Sequence, residues 1–173
     1  MDLFLIRHAH AENAANGDND AARPLSPKGR SRFEHVVEGL ARLGIRFDLV
    51  LHSPWLRAVE TAQLLMPIVR GESRVTASLA AAPGRALLAQ LAGGGAPIDP
   101  RAPSIPAEKV AAVGHQPWLS ELLAWLVLED PDVADRLHMG KGAVAWLKGE
   151  PTPGGMRLHA LFPAKSMASA NDG

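Results

Sequence analysis

Short unbroken apolar runs alternate along this chain with stretches whose hydrophobic residues recur at helical spacing. The first run, Leu3-Phe4-Leu5-Ile6, ends abruptly at Arg7-His8 and reads as a strand buried on both faces. Ala11 to Arg23 is rich in Ala, Asn, Asp and Gly and reads as an exposed loop. Ser26-Pro27 then opens a helix, with the serine as cap and the proline at its first position. Phe33, Val36, Val37, Leu40 and Leu43 keep its period, and Gly44 ends it. Phe47 to His52 forms a second strand. Ser53-Pro54 repeats the cap-then-proline device before a helix with Leu56, Val59, Gln63 and Leu64 along one side and Arg57 in its first turn.

Val75-Thr76 suggests a third strand and Arg85 to Leu91 a short helix. A Gly- and Pro-rich connection from Gly93 to Pro106 has the composition of a mobile linker. Glu108 to Gly114 carries a buried strand, Val110-Ala111-Ala112-Val113, that runs into Gly114-His115. Pro117 to Leu128 is a strongly apolar helix. Ala143–Lys148 and Met156–Phe162 pair as a hairpin around Pro151-Thr152-Pro153-Gly154-Gly155. Strands alternating with helices predict an α/β fold. The expectation is a three-layer sandwich, with a largely parallel central sheet, helices on both faces and a C-terminal antiparallel hairpin. A single domain would span residues 1–163, followed by a flexible tail over 164–173.

The length of 173 residues suits one domain with a real core. Lys plus Arg equals Asp plus Glu at 18 each, which argues against a nucleic-acid surface but leaves room for a local cationic pocket. With no cysteine, disulfides and thiolate metal sites are excluded. No window reaches the ~18 uninterrupted apolar residues of a membrane helix. The N-terminus also lacks the basic-then-apolar pattern of a secretion signal. The expectation is a cytoplasmic protein without nucleic-acid or membrane partners.

In an open parallel sheet, ligands bind beyond the carboxyl ends of the strands. Three such ends offer Arg7-His8, Ser53 with Arg57, and His115. Guanidinium forks match tetrahedral oxyanions such as phosphate. A neutral imidazole among them can attack phosphorus, and the surrounding cations help to keep it unprotonated. His10 lies two positions after His8 and raises a metal pair as an alternative. No carboxylate or further histidine follows at ligand spacing, so neither a metal nor another cofactor is expected. Trp55 stands where it can flank a substrate or simply pack.

Four ordered blocks resemble the histidine phosphatase superfamily: Arg7-His8; Arg23-Pro24-Leu25-Ser26 with Gly29; Ser53 to Ala58 with Glu60-Thr61-Ala62; and Gly114-His115-Gln116-Pro117. Length and spacing are most similar to its phosphohistidine phosphatase, SixA-like branch. The resemblance implies His8 as nucleophile, Arg7 and Arg57 on the phosphoryl oxygens, and His115 completing the pocket as an imidazolium. It also implies Arg23 as an additional phosphate-binding residue, and no metal. Ala9 replaces the glycine that larger members carry after Arg-His. Many phosphomonoesterases of the superfamily carry a glutamate after the third strand, whereas this chain reads Ser78-Leu79-Ala80-Ala81-Ala82-Pro83-Gly84. An alkoxide leaves poorly unless protonated. An imidazole leaves more readily, which favours a phosphohistidine-bearing protein as substrate. The alternatives are a small metabolite or nucleotide phosphate ester, with Glu12 or Glu121 as a possible acid, and a non-catalytic phosphate-binding module.

Overall fold

The computed structural model describes residues 1–13, 19–93 and 107–168. Most of the glycine-rich connection and the last five residues lie outside the described residues. The strands are β1 (Asp2–Arg7), β2 (Phe47–His52), β3 (Val69–Val75), β4 (Lys109–Gly114), β5 (Val144–Gly149) and β6 (Met156–Phe162). The helices are α1 (Pro27–Arg42), α2 (Leu56–Leu65), α3 (Arg85–Gly93), α4 (Trp118–Leu128) and α5 (Ala164–Ala168). The strands form one sheet in the order β3-β2-β4-β1-β5-β6. The first four are mutually parallel, β5 runs antiparallel to β1, and β6 closes the hairpin.

Alternate residues of β1 serve opposite layers, as the pleat requires. Leu3 and Leu5 join a core with residues of α3 and α4. Phe4 and Ile6 join a second core with α1, α2 and Met167 of α5. Register then brings the chemistry together. Arg7 pairs with Gly114, and His52 pairs with Val113. The ladder continues one step further: the His8 N–H donates to Gly114 O at 3.0 Å and the Ser53 N–H to Val113 O at 3.0 Å.

Five details differ from the sequence expectation. β3 begins at Val69 rather than Val75, because Val-Arg-Gly-Glu-Ser-Arg-Val is an edge strand bonded only to β2 and needs no apolar alternation. The buried face of α2 is Arg57, Ala58, Thr61, Ala62 and Leu65. Its two alanines let the helix lie close to the sheet, and Leu56 is left exposed. Ser53 does not cap α2, which starts at Leu56 with Trp55 as its cap residue. Leu43 lies past the end of α1 and is 55% exposed. Residues 164–168 are also not a frayed tail. Met167 is buried against α1, where Gly39 has no side chain to obstruct it.

The start of α1 follows the expected chemistry, with Ser26 Oγ accepting from the Gly29 N–H at 3.0 Å. Gly29 also lies so close to the strand-following loop that an added Cβ would come 2.0 Å from the His10 carbonyl oxygen. Ser26→Ala is expected to lower unfolding free energy by about 1 kcal/mol. Gly29→Ala should cost more, because a backbone segment must move. Urea denaturation of the two variants beside wild type checks that order.

Candidate active site

His8 follows β1 directly and is 5% exposed. Its Nδ1 lies 2.7 Å from the Ala9 carbonyl, which can only accept, so Nδ1 carries the proton. Its Nε2 lies 3.2 Å from Arg57 Nε, which can only donate, so Nε2 carries the lone pair. The two bonds fix one tautomer. Burial is the main cause that depresses the His8 pKa to about 3. The bond to Ala9 opposes the shift, and His115, Arg57 and Arg7 add to it.

Thr61 supports this arrangement from α2. Its hydroxyl accepts from the Ala9 N–H at 3.1 Å and donates to the Arg57 carbonyl at 2.6 Å. The neighbouring Glu60 accepts from the Leu25 N–H at 2.6 Å and from Arg30 at 3.0 Å, tying down the segment that follows Arg23. Both residues lie in a block the sequence singles out, but their roles need the fold to be seen.

His115 follows β4, is 2% exposed, and its ring centroid lies 5.1 Å from that of His8. Its Nε2 shares a hydrogen bond with Ser53 Oγ at 2.8 Å, and its buried Nδ1 has no hydrogen-bond partner among the described residues. Trp55 packs on the ring at 4.4 Å, and Trp118 meets it edge-on at 6.3 Å. Burial and then Arg57 lower the His115 pKa to about 4, with Asp20 opposing and Arg7 assisting. With no anion in the pocket, this ring is uncharged near neutral pH. A phosphoryl dianion placed against it would favour the charged form.

The guanidiniums surround the two rings. Arg57 is 5% exposed and lies over the Trp55 ring at 4.6 Å. Arg7 donates to the Met139 carbonyl at 2.7 Å, while its buried Nε has no partner among the described residues. Burial, reinforced by Arg57, lowers the Arg7 pKa. Asp20, which sequence reasoning did not single out, links the remaining pair. Arg57 donates to its carbonyl at 2.6 Å and to its Oδ2 at 2.9 Å, and Arg23 reaches its Oδ1 at 3.0 Å. Arg23 thus joins Arg57 through one carboxylate. Burial alone would raise the Asp20 pKa, but the bond and charge of Arg57, with Arg23, hold it below the usual range. The i,i+3 spacing of Asp20 and Arg23 was the only signal available in the sequence.

His10 does not join this cluster, its Nδ1 lying 3.3 Å from Ser26 Oγ. Among the described residues no three His, Asp or Glu side chains gather as metal ligands. The arrangement therefore offers a buried lone pair ringed by guanidiniums shaped for tetrahedral oxyanions, which suits phosphoryl transfer.

Fold and site together define a histidine-phosphatase-type hydrolase. The family model of the histidine phosphatase superfamily (branch 1) matches residues 3–80. An uncharacterised protein of Picosynechococcus sp. is 38% identical over 122 residues, covering 70% of this chain and 70% of its own. The chain belongs to that superfamily. It is also 35% identical over 101 residues to the mitochondrial serine/threonine-protein phosphatase PGAM5 of Mus musculus, covering 58% of this chain but 30% of that protein. The structure of the protein histidine phosphatase SixA complexed with tungstate superposes with a TM-score of 0.74 at 22% identity, covering 96% of this chain and 99% of that one. The fold is SixA-like.

Two outcomes follow from the electrostatics. An imidazole whose folded pKa lies below its unfolded value of about 6.5 takes up its proton only on unfolding, so stability falls as pH drops below 6.5. The loss approaches about 2 kcal/mol per imidazole at pH 5. Urea denaturation at pH 7 and pH 5 should show a smaller drop for His8→Asn and His115→Asn than for wild type. Asp20→Asn removes a carboxylate that competes with oxyanions for Arg57 and Arg23. Orthovanadate binding to that variant, followed by calorimetry, should tighten about tenfold.

Proposed function

We propose that the protein is a metal-independent phosphatase acting through a phosphohistidine intermediate on His8, with a phosphohistidine-bearing protein as its substrate. The observation that carries the first part is the fixed His8 tautomer, with its Nε2 lone pair beside Arg57. In the first step Nε2 forms a bond to phosphorus while the substrate's P–N bond breaks. The departing imidazole keeps the electron pair and leaves neutral, with a proton on its other nitrogen. Water then attacks the phosphohistidine, His8 regains its lone pair, and inorganic phosphate departs. Arg7, Arg57 and Arg23 bind the phosphoryl oxygens. Fixed positive groups of this kind supply most of the transition-state stabilisation.

A cleft of about 1020 Å³ bordered by Arg7, Gln116, Ala82 and Pro83 supports the protein-substrate part. The segment after β3 meets this cleft with Ala82 and Pro83, not with a carboxylate. An imidazole leaving group needs no acid there, and an open cleft admits a protruding side chain. One observation favours the alternative of a phosphate ester: Glu121 lines the same cleft and can protonate an alkoxide. The serine/threonine specificity named for PGAM5 fits that alternative. No helix among the described residues is long and apolar enough to cross a membrane.

Brief incubation with labelled phosphoramidate, followed by quenching, should leave acid-labile, base-stable label on the protein. His8→Ala should carry none, and Arg57→Ala should turn over about 10²–10³-fold more slowly. A native rate in His8→Ala would overturn the assignment. Comparing phosphohistidine protein with phosphoserine peptide, each with Glu121→Gln, ranks the substrates. The phosphohistidine reading predicts that Glu121→Gln leaves dephosphorylation of the favoured substrate unchanged.

A further inference from the structure

A second cavity, of about 420 Å³, opens at the same end of the sheet on its α1 side. Ala9, Phe33 and Ala164 form apolar parts of its lining, while His10, Arg32, Lys141 and Lys165 supply the polar side chains. Among the described residues no carboxylate borders it. The 1020 Å³ cleft, by contrast, carries Glu121, Asp132 and Asp135 beside Arg7 and His138. The two hollows therefore differ sharply in charge although the net charge of the chain is zero.

The cationic hollow is tied directly to the reaction segment. The Gly142 N–H, next to Lys141, is shared between the carbonyls of Arg7 and His8 at 3.1 Å each. Ala9 and His10, the two residues after His8, contribute to its lining. Lys141 also lies within the field of the phosphoryl-binding guanidiniums. Burial and then Arg7, Arg23 and Arg57 lower its pKa. Among the described residues, neither Lys141 nor Arg32 has an ion-pair partner. Arg32 and Lys141 repel one another across the cavity, and an anion placed between them relieves that repulsion.

We propose that this cavity is a second anion subsite, in which Arg32 and Lys141 receive a carboxylate or second phosphoryl group adjoining the phosphoryl that His8 accepts. The inference rests on the phosphoryl-transfer reading of the neighbouring site. It assigns the substrate a second acidic group close to the transferred one. The acidic cleft on the opposite side would repel that group, so the substrate has a preferred orientation across the sheet end.

The test measures inhibition of p-nitrophenyl phosphate turnover by alkylphosphonates, by ω-phosphonocarboxylates of matched and increasing chain length, and by methylenebisphosphonate. At least one doubly anionic compound should inhibit at least fivefold more tightly than its alkyl counterpart. Whether the carboxylates or the bisphosphonate gain more identifies the second group. In Arg32→Glu and in Lys141→Met that ratio should fall at least threefold, whereas Arg32→Lys should keep it. A ratio near one in wild type at every length, or a ratio unchanged in both variants, overturns the subsite. The same ratios read by calorimetry do not require turnover. An inactive protein with the predicted binding ratios would therefore sink the phosphatase reading alone.

Discussion

Two imidazoles are buried beside guanidiniums in a space where an added charge loses its hydration, and the rest of the site depends on that constraint. Burial leads the causes that drive the pKa values of His8 and His115 to about 3 and about 4. Both rings therefore stay neutral while the arginines around them stay charged. Neutral rings beside permanent cations are the state that attack on phosphorus requires, since a protonated Nε2 has no lone pair to give. The fold achieves this with ordinary means: strand register places the rings, and apolar layers on both faces of the sheet keep water away.

Helix α2 is the element through which these parts are coordinated. Its Arg57 reaches His8 and Asp20, its Thr61 steadies the Ala9 backbone, and its Glu60 anchors the segment behind Arg23. Ala58 and Ala62 on the same buried face allow the close approach that brings those polar groups within hydrogen-bond distance. Trp55, just ahead of the helix, contacts both the Arg57 guanidinium and the His115 ring. An aromatic face in contact with both attracts either of them when it is cationic.

The strand ends were legible because their chemistry directly follows unbroken apolar runs. Arg7-His8 follows Leu3–Ile6 and His115 follows Val110–Val113, so sheet topology alone brings them together. β3 was not legible in full, since an edge strand exposed on one side can be polar throughout and still pair with β2. The buried face of α2 was missed for a related reason. Hydrophobic periodicity weighs Leu56 and Leu64 above alanines, yet the helix turns its small residues and Arg57 inward. Asp20 sits in a stretch whose composition looks like any solvated loop. Its meaning comes entirely from the two guanidiniums it meets in space.

Charge partition carries the same lesson further than composition could. A balance of 18 cations against 18 carboxylates excludes a globally basic surface and says nothing about how charge is distributed. In the fold, Arg7, Arg23 and Arg57 converge on one end of the sheet, and Asp20 is the carboxylate drawn between two of them. A single half-exposed acid there cancels part of the repulsion among the arginines. In the proposed reaction, a phosphoryl group brings more negative charge and more acceptor oxygens than a carboxylate and so displaces it from the arginines. The same carboxylate can then take the arginines back once phosphate leaves in that proposed reaction. A site built only of cations would bind phosphate more tightly and turn over more slowly, because binding energy shared by product and transition state does not speed the reaction.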